Sequence, residues 1–110
     1  MDAVPPNGDR LLHMLGALAN PHRLRIVAAL ASRRNYVSQL ARDLGISRPL
    51  LHMHLQRLES AGLVSGVLEV SADGKAMKYF EVAPFTVALT PTTVAEAAST
   101  LTPDPPEAKD

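Results

Sequence analysis

Residues 38–62, SQLARDLGISRPLLHMHLQRLESAG, restrict the possible folds more than any other part of the chain. Two helix signals lie here almost end to end. Ser38 is a candidate cap for the first helix, whose buried side would be Leu40, Ala41 and Leu44. Gly45 suits the left-handed residue that closes a helix, and Ile46 plugs the turn. Ser47 then caps a second helix that tolerates Pro49 in its first turn. Leu51, Leu55, Leu58 and Ala61 recur on one helical face, and Gly62 stops the run. A tight turn therefore joins two short helices.

The flanks extend the pattern. Upstream, Leu11, Leu15 and Leu18, with Leu12 and Met14 alongside, predict an amphipathic helix from Asp9. Asn20 and Pro21 restart the chain as a second helix, with Leu24, Val27 and Leu30 as its expected inner stripe and Ile26 beside it. The segment RNYV at 34–37 reads as a connector or short strand. Downstream, LVSGVLEVSA and KAMKYFEVA are β-prone and joined by Asp73-Gly74, which predicts a hairpin whose two turn positions both take positive φ. After Pro84 and Pro91, the spacing of Val94, Ala97, Ala98 and Leu101 predicts a last short helix.

Residues 1–8 read as a flexible lead, 9–101 as one domain and 102–110 as a disordered tail. Helix, helix, Gly-containing turn, helix and hairpin, in that order, predict a mainly α fold with a small β-hairpin wing, a winged helix-turn-helix.

A chain of 110 residues suffices for one such domain with a modest core. It contains no cysteine, which excludes disulfides, thiolate metal sites and cysteine nucleophiles. MDAVPPNGDR lacks a basic segment followed by an apolar one, and no apolar run reaches the roughly 20 residues of a membrane span. A cytoplasmic protein that does not enter membranes is expected. No Gly-rich phosphate loop, nucleophile elbow or HExxH occurs, so no enzyme is expected.

Net charge is zero, yet residues 21–80 carry nine Arg or Lys against four Asp or Glu, and the acidic excess lies at the two ends. A basic centre suits a nucleic-acid face confined to the middle of the domain. In a helix-turn-helix the second helix presents its N-terminal end to the major groove. Arg48 is the best candidate for reading bases, because its planar fork matches guanine O6 and N7. His52 and Gln56 follow on the same outward side, and Ser38, Gln39, Arg42 and Ser47 are further candidates for phosphate or base contact. Lys75 and Lys78 give the hairpin a cationic contact across the backbone or minor groove.

His52 and His54 resemble a His-X-His metal motif, but on a helix they diverge by about 200° and do not easily chelate one ion. His54 is expected to pack at the helix base with one nitrogen hydrogen-bonded. Asp9 and His13 form an i, i+4 pair that could hold half a site, completed by a carboxylate such as Glu96 of a partner; imidazole with carboxylate suits Ni(II) or Zn(II).

The sequence resembles the ArsR/SmtB family of bacterial metal-responsive regulators. ALANPHRLRIVAAL looks like that family's opening of the second helix, VSQLARDLGISRPLLHMHLQRLESAGLV like its helix-turn-helix, and GKAMKYFEV like its second wing strand. The resemblance covers roughly residues 10–83. It implies a homodimer, built from the first and last helices, that binds an inverted-repeat operator in double-stranded DNA and is released by a metal or another effector. Leu11, Leu15 and Leu18 would then meet Val94, Ala97, Ala98 and Leu101 in the dimer seam. The family's cysteine-based sensory site has no counterpart here, and its Asp/His site on the last helix finds only Glu96. A rival from another class is a winged-helix protein-interaction module without DNA binding.

Overall fold

Residues 7–103 are described by the computed structural model, and the expectations for 1–6 and 104–110 lie outside these residues. The elements run α1 (Gly8–Leu18), α2 (Pro21–Ser32), β1 (Asn35–Tyr36), α3 (Val37–Leu44), α4 (Arg48–Ser60), β2 (Val64–Val70), β3 (Ala76–Val82) and α5 (Pro91–Ala98). Contacts divide the chain into two units, residues 14–85 and the two ends that flank them.

In the central unit, α4 carries the largest share of the core. Leu51, Leu55, Leu58 and Ala61 are all buried, as their spacing predicts. Burying a leucine side chain is worth about 1.5–3 kcal/mol relative to exposure. Both helix stops are glycines in the left-handed region, Gly45 at φ 67° and Gly62 at φ 75°, where a Cβ would be strained. At each stop the chain doubles back. Ile46 N donates to the Ala41 carbonyl at 3.1 Å, and Leu63 N donates to that of Leu58 at 3.0 Å.

Other local expectations need correction. α2 has the expected cap, with Asn20 accepting from Arg23 N, but its buried residues are Ile26 and Leu30, while Leu24 is exposed. Arg23 occupies the inward position one turn before Ile26. Its Nε donates to the Ala17 carbonyl at 2.6 Å, so a charged residue masks the stripe. Ser38 is not a cap: α3 already starts at Val37, with Tyr36 at the cap position and no side-chain hydrogen bond.

β1, β3 and β2 form an antiparallel sheet in that order, with Tyr36 opposite Tyr79 and Gly66 opposite Phe80. The β2–β3 turn is longer than the expected two-residue form. Gly74 N donates to the Ser71 carbonyl and Ser71 N to that of Lys75, closing a three-residue loop with Gly74 at φ 87°. Ser71 Oγ also bonds the Asp73 carboxylate and receives Lys75 N, side-chain bonds that favour the longer loop.

In the other unit, Thr90 and Thr93 make a reciprocal cap at the start of α5. The helix ends at Ala98, so Leu101 lies beyond it, held by a bond from its N to the Ala98 carbonyl. Gly8 N donates to Thr100 Oγ1 at 2.7 Å, and Asp9 accepts from both the backbone N and the hydroxyl of Thr102. These bonds to Thr102 hold the Asp9 carboxyl below its usual range. Among the described residues, no helix is long and apolar enough to cross a membrane.

Candidate nucleic-acid interface

The buried stripe of α4 fixes which side chains the helix presents outward. With 51, 55 and 58 against the core, Arg48, His52 and Gln56 stand exposed, one turn apart. Ser47 sets where the helix starts, its hydroxyl accepting from Leu50 N at 3.2 Å. Arg48 is the first helical residue, at the end where a base-reading side chain has its shortest path into a groove.

Beside it lies a hollow of about 320 Å³ between α4, the β1–α3 junction and the wing. Ser38, Arg48, His52 and Lys78 line it together with Tyr36, Val37, Ala76 and Met77. Four residues singled out from sequence thus meet around one concavity, from three separate elements.

The remaining candidates divide. Gln39 is held on both sides of its amide: Nε2 donates to Asp43 at 2.7 Å, and Oε1 accepts from Arg42 at 2.7 Å. Asp43 also accepts from Asn35 Nδ2 at 3.3 Å. Gln39 is therefore committed within the chain, and Arg42 is partly so. Gln56 lies further along α4, and exposed Lys75 sits at the hairpin turn outside the hollow.

Sequence reasoning missed how the local acids are neutralised. Arg34 pairs with Glu69 at 2.9 Å and places its guanidinium 4.5 Å from the centre of the Tyr79 ring. The Asp73 carboxyl is held below its usual range by the Ser71 hydroxyl and then by Lys75 N. A strand register marking 34, 69 and 79 as neighbours would have exposed the pairing, but the short β1 gives little periodicity. Tyr36 was missed for the same reason, whereas Ala76 and Met77, on β3, carry no polar group to signal a contact.

His54 turns away from this face and is 3% exposed. Arg23 Nη1 lies 3.1 Å from its Nδ1, and the His22 ring centre is 5.3 Å from its own. Burial, then Arg23 and His22, push the His54 pKa below its usual value. His52 and His54 are therefore split between two faces.

The expected metal donors do not converge within one chain. Among the described residues no three His, Cys, Asp or Glu side chains form a group able to hold an ion. Asp9 is engaged by Thr102, and Glu96 is exposed on α5.

The family model for "Bacterial regulatory protein, arsR family" matches residues 20–65, spanning α2 through α4. A crystal structure of a possible transcriptional regulatory protein (fragment 1–100) from Mycobacterium bovis is 30% identical, covering 69% of this chain and 76% of that one, with a TM-score of 0.61. The chain belongs to the ArsR family. Its relatives include nodulation protein NolR of Rhizobium meliloti, 41% identical over 69 aligned positions that cover 59% of this chain and 57% of NolR. The solution structure of a homodimeric winged helix-turn-helix DNA-binding domain from M. bovis, a possible ArsR-family regulator, is 29% identical. It covers 69% of this chain and 66% of that one, with a TM-score of 0.60. The winged helix-turn-helix fold of this ArsR-family chain is thus shared with its relatives. The chain spans about half the length of the relatives it matches by sequence.

Proposed function

We propose that this chain is a transcriptional regulator that binds double-stranded DNA as a homodimer. Each protomer would set the N-terminus of α4 in a major groove of an inverted repeat, with the wing alongside. The observation that carries this reading is the hollow around which Ser38, Arg48, His52 and Lys78 converge. Its cations lack a carboxylate partner among the ion pairs of the described residues, where the one pair is Arg34–Glu69. Ser47, Gln56 and Lys75 would add contacts along the same face. The M. bovis domain, named as homodimeric and DNA-binding, supports the reading by likeness.

The dimer would be built on α1 and α5. Leu12, Val94 and Leu101 are exposed apolar residues in the single chain, and Leu11, Leu15 and Leu18 are half-buried. A second copy would cover them together with Ala98; Ala97 is already buried and adds little.

Control by Ni(II), Zn(II) or another effector is a separate proposal. Among the described residues no three donors of one chain form a group able to hold an ion, so a site using Asp9, His13 and Glu96 would draw on both protomers. Selection of bound duplexes from a random-sequence pool, followed by gel-shift titration, tests the main reading. An enriched inverted repeat is expected. Recovery of unenriched DNA would favour a winged-helix interaction module instead.

A further inference from the structure

The wing carries a feature that cationic contact with DNA does not need. Val70 and Leu68 are 69% and 67% exposed, the most exposed large apolar side chains among the described residues. Leu68 lies opposite Lys78 and Val70 opposite Ala76 in the β2–β3 register, so the four share one face of the hairpin. Ala76 and Lys78 also line the hollow beside Arg48, so this apolar face continues the proposed DNA surface. β2 is an edge strand, the place where proteins usually set charge or proline to discourage sticking. Here the strand's own charge, Glu69, points to the other face and is paired with Arg34.

The geometry points to Leu68 and Val70 as an apolar reader of the DNA minor groove that selects A·T steps at the outer edge of each half-site. This rests on the DNA-binding reading above. Lys78 sits directly across from Leu68, and Lys75 follows at the turn beyond Val70. These cations match the phosphates that border a groove, while the apolar pair would meet its floor and sugar walls. Only G·C pairs carry a donor there, the guanine 2-amino group. Leu and Val cannot accept its hydrogen bond, and the group projects into the space they would fill. An apolar pair therefore penalises G·C and tolerates A·T, which Lys alone does not do. Apolar side chains at minor-groove steps are a general device of groove-binding proteins.

The test uses the full chain and a duplex selected from a random pool, with the flank under the wing made A·T, G·C or inosine·C. Inosine lacks the 2-amino group but keeps the major-groove face of guanine. Wild type should bind A·T and inosine·C flanks alike and G·C flanks about tenfold more weakly, the range of a single mismatched pair. Leu68→Ser combined with Val70→Thr should bind all three alike while melting at the wild-type temperature, since both side chains are exposed. Inosine·C behaving as G·C, or a flank preference that survives in the variant, overturns the inference while leaving DNA binding intact. A smaller sedimenting species for the variant than for wild type also overturns it, by assigning the patch to a second copy. If wild type prefers no duplex at all, the underlying reading fails as well.

Discussion

Arg23 reaches from α2 to the buried side of α4, where its Nη1 lies 3.1 Å from His54 Nδ1. Arginine stays protonated in proteins, so it must be the donor and Nδ1 the acceptor. That fixes neutral His54 as the tautomer with its proton on Nε2, a buried atom without a hydrogen-bond partner. The same guanidinium donates to the Ala17 carbonyl at 2.6 Å and so ties α1, α2 and α4 together.

Removing either partner should therefore weaken the fold. Arg23→Ala leaves two buried acceptors without their donor, and His54→Ala loses a packed ring. Each should cost about 1–3 kcal/mol in chemical denaturation. His52→Ala should leave stability within about 0.5 kcal/mol of wild type and weaken DNA binding. Equal destabilisation by the His52 and His54 changes would contradict the assignment of the two rings to opposite faces.

Stability should fall in mild acid. Folding depresses the His54 pKa, through burial first and then Arg23 and His22. The unfolded chain takes up its proton first as pH drops below about 6.5. This contribution is complete above that pH and is lost as pH descends to the folded-state pKa. Melting temperatures of wild type and His54→Gln across pH 5 to 8 check this: the wild-type decline below 6.5 should shrink in the variant. An identical decline in both would place its origin elsewhere.

Association can be tested without disturbing the chain's own packing. Ala98 is exposed on α5, whereas neighbouring Ala97 is buried. Ala98→Glu should keep the melting behaviour of an isolated protomer, yet sediment as a monomer and lose the inverted repeat. A wild-type protein that is monomeric at micromolar concentration would rule out the two-half-site arrangement.

The legible parts of the fold were those where local chemistry and periodicity agree. On α4, the Ser47 cap, the 51–55–58–61 stripe and Gly62 all give the same boundaries, and the outward positions of Arg48, His52 and Gln56 follow from them. α2 was harder to read, because the inward face contains Arg23, and apolar Leu24 drew the expected stripe to the wrong side. The Asp73-Gly74 turn was recognised, but the bonds of Ser71 that lengthen it are side-chain choices outside the motif. The Gln39–Arg42–Asp43 bonds are long side chains settling on an exposed helix, which spacing permits without selecting.

In the proposed complex the N-terminus of α4 reads bases while the wing cations hold the backbone. Affinities of wild type, Arg48→Ala and Lys75→Ala for a selected repeat and for a random duplex, over a salt series, test it most directly. Arg48→Ala should lose about 1–3 kcal/mol on the selected repeat, little on random DNA, and its preference at one base pair per half-site. Lys75→Ala should weaken both duplexes alike and lower the salt slope by about one. Equal losses on both duplexes for Arg48→Ala would contradict base reading and reduce Arg48 to a phosphate contact.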